Sequence, residues 1–276
     1  MVDAITGVGT GVVAAYLSKD GLEKLLGPTA EYLGEGLRDL AKRRTENIGR
    51  ILQNAYKKLG DKLDEPGTVS PRVLKTVINE GSYCEDKIAI EYFGGVLASS
   101  RTPLLRDDRG SRIAKIVDGL STYQIRSHYL MYETIRRLFT GTGLAIDMID
   151  VPKMRIMLPL SDFTQAMEFS EQEVRKRKQL LEHILFGLAA ESLIDPSNWL
   201  FGPKAEMAKV YSDAGDSGIV FMPSPLGVEV FLWAFGEGNE RVSYFLNPNF
   251  SPHLNEVANG VENAVRIKPN RNITSR

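Results

Sequence analysis

The chain is poor in the residues that most often announce a chemistry. It has one cysteine, Cys84, and three histidines in 276 residues. A single cysteine excludes a disulfide framework and any multi-cysteine zinc site within one chain, and it fits a reducing compartment. His128, His183 and His253 stand on separate segments. No H-E-x-x-H, G-x-x-x-x-G-K-[ST], G-x-S-x-G or C-x-x-C spacing occurs. Charge of one sign is also lacking. The formal net charge is −1, so any electrostatic binding must come from local patches. No low-complexity tract and no repeat of solenoid period is present.

Long apolar runs are missing too. The opening "ITGVGTGVVAAYL" (residues 5–17) ends at Ser18-Lys19-Asp20, short of the roughly 20 residues that cross a bilayer. It also lacks the basic start of a secretory signal. Gly7, Gly9 and Gly11 each cost a helix about 1 kcal/mol relative to alanine. Close helix approach repays such a cost, and Gly7 and Gly11 form a GxxxG pair. These three glycines are candidates for self-association or membrane contact. The plainer expectation is a short helix docked on its own domain.

What is there is mostly helix. Leu33, Leu37, Leu40, Ile48, Ile51, Leu52, Ala55 and Leu59 recur at helical spacing. Residues 38–62 hold eight basic against three acidic side chains, a net of +5. Arg38, Lys42, Arg43, Arg44 and Arg50 are the basic surface candidates on this long helix. Such a face is either simply solvated or meets anionic lipid, nucleic acid or an acidic protein. Ser70-Pro71 starts a second helix, and Ser82-Tyr83-Cys84-Glu85 reads as the capping box of a third. On that reading Cys84, Glu85, Asp86 and Lys87 form a first helical turn, which argues against a nuclease-type acid-x-lysine strand. Gly94-Gly95 predicts a close helix crossing. Two more helices follow, the second opening at Ser121.

The later chain changes character. "MRIMLPL" (154–160) is a strand or a buried extended piece inside a connector. Ser170 to Glu173 is another capping box, opening a helix with Arg175, Lys176, Arg177 and Lys178 as further basic candidates. "AKVYSD" and "GIVFM" predict a β-hairpin, and Ser224-Pro225 caps a last helix. Residues after 239 read as polar and irregular. The expected fold is mainly α: a helical bundle, then a smaller winged-helix-like α+β lobe containing the hairpin. The expected organisation is an apolar segment 1–26, a helical domain 27–141, a connector 142–169, a winged-helix-like lobe 170–236 and a tail 237–276.

Three stretches carry a family resemblance. "LLGPTAEYLGEGL", "RVLKTVINEGSYCEDKIAIEYFGGVLASSR" and "LIDPSNW…FMPSPLGVEVFLWAF" resemble, in order, the Abi-alpha (abortive infection alpha) family. Gly27-Pro28, Ala30 and Gly34 match its first element. Glu85, Asp86, Leu97, Ala98 and Ser99 match the second. Leu193-Ile194, Leu226-Gly227 and Phe231-Leu232 match the third. The likeness covers roughly residues 20–236. Tyr92-Phe93-Gly94 departs from the bulkier residue common at that place. The resemblance implies a bacterial anti-phage role and supplies no catalytic residue. The expected protein is therefore a non-enzymatic defence effector or sensor without cofactor or metal. Its expected place is the cytoplasm or the periphery of the inner membrane. Its expected partners are a protein (phage-encoded, or a second copy in a homo-oligomer) or an anionic membrane surface. The alternative is a nucleic-acid-binding regulator using the winged-helix-like lobe.

Overall fold

A computed structural model describes residues 37–104, 106–211 and 215–268. Gly7, Gly9 and Gly11 lie outside the described residues, as does the side chain of Arg38. The basic segment forms helix α1 (Leu37–Leu59) and ends in a 3₁₀ turn, Gly60–Asp64. The guanidinium of Arg101 closes that end by donating to the carbonyls of Lys62, Leu63 and Glu65. Strand β1 (Thr68–Val69) pairs with β2 (Arg101–Thr102) and brackets helices α2 (Pro71–Gly81) and α3 (Lys87–Ser99). Helix α4 (Arg109–Asp118) leads into α5 (Thr122–Phe139), where Ser121 and Gln124 make a reciprocal capping box.

Helix α3 is the hub. Every residue from Ile88 to Ser99 except Glu91 is buried, because α1, α2, α4, α5 and α10 (Pro225–Ala234) surround it. The two glycines make this possible. A side chain on Gly94 would come within 2.6 Å of Asn54 Cβ on α1, and one on Gly95 would overlap the Ala234 carbonyl of α10. The crossing predicted from Gly94-Gly95 is therefore a double one.

The capping box expected at Ser82 is not formed. Asp86 is the N-cap instead, accepting from the Ile88 and Ala89 amides at 2.9 Å each. Ser82 Oγ is occupied elsewhere, donating to Asn79 O and accepting from Arg44 Nε. Residues 82–85 are loop, so Cys84 precedes the helix rather than lying in its first turn.

Residues 142–169, read as a connector, supply β3 (Ile156–Pro159), an interior strand of a four-stranded antiparallel sheet. The sheet order is β4 (Leu200–Gly202), β5 (Gly218–Phe221), β3, β6 (Val265–Arg266). Side chains alternate across it as strand geometry requires. Ile156, Leu158, Ile219 and Phe221 face the main core; Met157 and Val220 face a satellite cluster with Met207, Tyr211 and Ile267. Helix α6 (Leu160–Ala166) follows β3. A short α7 (Glu171–Arg175) and α8 (Arg177–Ala190) are separated at Lys176.

Two expectations are corrected here. "AKVYSD" is not a strand. Its first three residues, 208–210, end helix α9 (Lys204–Val210), which covers the satellite cluster through Met207, and residues 212–213 lie outside the described residues. The partners of β5 are β3 and β4. Nor are residues after 239 merely irregular. A 3₁₀ turn (Val242–Leu246) and β6 lie there, and Phe245, Leu246, Phe250, Leu254 and Val261 are buried in the main core. The fold is mainly α with small antiparallel sheets. No helix among the described residues is long and apolar enough to cross a membrane.

Candidate functional site

A cleft of about 660 Å³ lies between the N-terminal half of α1, the 82–86 loop and the α4–α5 junction. Its size suits a small molecule or a few side chains of a partner. Ala89, Val117, Leu120 and Ile125 supply an apolar floor. The rim is polar. Arg43 pairs with Glu85 at 3.5 Å. Arg44 donates to Ser82 Oγ at 3.0 Å and stacks 4.2 Å above the Tyr83 ring, which is 58% exposed. Asn47 Nδ2 donates to Ser82 O at 3.1 Å and pins the loop to α1. Glu85, Asp86 and Asp118 balance the two arginines, so the cleft is not a phosphate cradle.

Cys84 sits in this cleft as the chain's sole thiol. Burial, then the nearby carboxylates Asp118, Asp86 and Glu80, push its pKa up to about 11. A thiol so raised is mostly protonated at neutral pH and is a poor nucleophile.

The far rim is Ser121. Its Oγ lies 2.8 Å from His183 Nε2 on α8, and it accepts from the Gln124 amide at 3.3 Å. Gln124 in turn bonds the Ser121 amide and the His183 carbonyl. Sequence reading missed this pair. The residues are 62 apart, Ser121 is recognisable only as a helix start, and nothing local marks His183.

The other histidines have different places. His128 is fully buried. Its Nε2 donates to the Gly227 carbonyl at 3.1 Å, which leaves Nδ1 to accept from the Tyr92 hydroxyl at 3.0 Å. Burial holds it neutral and lowers its pKa to about 3. His253 lines a second cleft of about 410 Å³ with Arg50, Lys87, Glu91 and Glu256. No group of three His, Cys, Asp or Glu capable of holding a metal occurs among the described residues.

The structure separates the basic candidates. Arg43 and Arg44 meet in the first cleft and Arg50 faces the second, while Lys42 is simply exposed. Two of the basic residues counted over 38–62 are held in ion pairs at the C-terminal end of this segment. Lys58 pairs with Glu91 at 3.0 Å beneath the Phe235 ring, and Lys62 pairs with Glu237 at 2.9 Å. On α7 and α8, Arg175 pairs with Glu171 and Lys178 approaches Glu182 at 4.0 Å. Lys176 and Arg177 make no ion pair among the described residues. No protein-family model, no curated protein and no solved structure matches the chain.

Proposed function

We propose that this protein is a bacterial anti-phage effector or sensor of the abortive-infection type, acting through protein contact at the first cleft. One observation carries the reading. The second of the three stretches that resemble Abi-alpha, residues 72–101, provides most of α2, the 82–86 loop and α3, and so lines the cleft with Ser82, Tyr83, Cys84, Glu85, Asp86 and Ala89. An apolar floor behind a mixed-charge rim suits side chains of a protein, phage-encoded or a second copy, in a homo-oligomer. An anionic membrane surface is the poorer partner, because Lys58 and Lys62 are engaged within the chain. Cytoplasmic action, at or near the inner membrane, belongs to the same reading.

Expression in a phage-sensitive bacterium tests it. The intact protein should reduce plaque formation, and Tyr83→Ala with Arg43→Glu, both exposed rim changes, should abolish protection at unchanged abundance. Unchanged plating across a broad phage panel overturns the reading.

A second reading is nucleic-acid binding by the C-terminal part. Helix α8, strand β4, the short helix α9, strand β5 and helix α10 follow in turn, with β4 and β5 paired antiparallel, an order that resembles a winged helix with α9 inserted in its wing; Lys176 and Arg177 make no ion pair among the described residues. Binding would weaken steeply with salt. A gel shift without a band at low salt, on duplex and single strands, disposes of it.

A further inference from the structure

We propose that Ser121 and His183 form a nucleophile–base pair that hydrolyses esters of short apolar acids at the rim of the first cleft. The contact has the required reach: Oγ to Nε2 is 2.8 Å. The cap leaves the hydroxyl proton free for the imidazole. Ser121 Oγ accepts from the Gln124 backbone amide and keeps its own hydrogen for donation, so with His183 protonated on Nδ1 it donates to Nε2. That is the tautomer a general base needs.

The surroundings supply the other parts. Ser121 caps α5, an 18-residue helix whose first amides, Thr122 and Tyr123, have no carbonyl partner within the helix. The amide of the residue after a nucleophile is a recurrent oxyanion donor, and the helix dipole adds to it. Ser121 and Thr122 both border the cleft, whose floor residues Leu120 and Ile125 suit an aliphatic acyl chain. No carboxylate orients His183 Nδ1 among the described residues, so turnover should be slow.

The steps balance. Ser121 Oγ bonds to the ester carbonyl carbon as its proton passes to His183 Nε2. The carbon–oxygen bond to the alcohol then breaks, and the leaving oxygen takes that proton. Water attacks the acyl-serine with His183 again as base, releasing the carboxylic acid and restoring the hydroxyl.

The inference stands apart from the defence reading, since it is tested on purified full-length protein. The probes are a fluorophosphonate and p-nitrophenyl butyrate. Ser121→Asp removes the nucleophile but keeps an N-cap acceptor. His183→Gln removes the base. Thermal unfolding checks both variants. The expected result is a phosphonyl adduct on Ser121, absent in Ser121→Asp. In His183→Gln, labelling and ester hydrolysis should both slow about 100-fold. No adduct on Ser121 of the folded wild-type protein overturns the proposal, as does labelling equally fast in folded His183→Gln. A wild-type protein that fails to label while still protecting against phage removes the activity alone. One that labels without protecting removes only the defence reading.

Discussion

The carbonyl of Ala234 occupies the space that a side chain on Gly95 would need. Helices α3 and α10 therefore touch backbone to backbone at the centre of the molecule. The obstacle is main chain, so no rotamer change relieves it. Gly95→Ala should cost at least the roughly 1–3 kcal/mol of ordinary overpacking. Gly49, inside α1, has nothing within 4 Å of the same added atom. Gly49→Ala should instead stabilise by about 0.5–1 kcal/mol through helix propensity. Urea unfolding of the two variants checks both signs, and similar effects from the two would refute the close-contact account.

His128 makes stability depend on pH. Its folded pKa, about 3, lies below the ordinary 6.5. Between those values the unfolded chain binds more protons. Stability is thus fully present above pH 6.5 and falls with pH by up to about 1.4 kcal/mol per unit. Glu133 acts in the opposite sense, since burial raises its carboxyl and the folded state takes up that proton first. The His128 contribution is therefore read by difference. Unfolding free energy from pH 6 to pH 4 should fall more steeply in wild type than in His128→Gln, and equal slopes would contradict the buried neutral imidazole.

The cap of α3 is Asp86, and its loss should be felt. Asp86→Ala removes the acceptor for two amides and should cost about 0.5–2 kcal/mol, whereas Asp86→Asn should keep most of it. Thermal unfolding distinguishes these. A neutral Asp86→Ala would mean that the helix start is held by packing alone.

Cys84 should be a slow thiol. With its pKa pushed up to about 11, iodoacetamide at pH 8 should modify it about tenfold or more slowly than free cysteine. The rate should climb steadily toward pH 11. Mass spectrometry of timed aliquots gives the rate, and rapid modification at pH 7 would show a thiolate that the nearby acids do not permit.

Some of this protein was determined by the sequence itself. Helical periodicity is local, so α1 to α5, α8 and α10 are readable from apolar spacing, and Ser121, Ser170 and Ser224 mark helix starts that the structure keeps. Gly94-Gly95 announces a close crossing, because only a missing side chain lets two backbones meet. The tertiary structure decided the rest. "AKVYSD" (208–213) is too short and too mixed to choose between strand and helix, and packing around Met207 drew its start, 208–210, into helix. Ser82 fits a capping box by spacing, yet Arg44, 38 residues earlier, engages its hydroxyl and leaves the cap to Asp86. The basic run 38–62 is a count of charges until the fold pairs Lys58 with Glu91 and Lys62 with Glu237. Ser121 and His183 have no common signature along the chain; the packing of α8 on α5 alone brings them within a hydrogen bond. Contacts between distant segments depend on which faces the core buries together, and that choice is made by the whole chain at once.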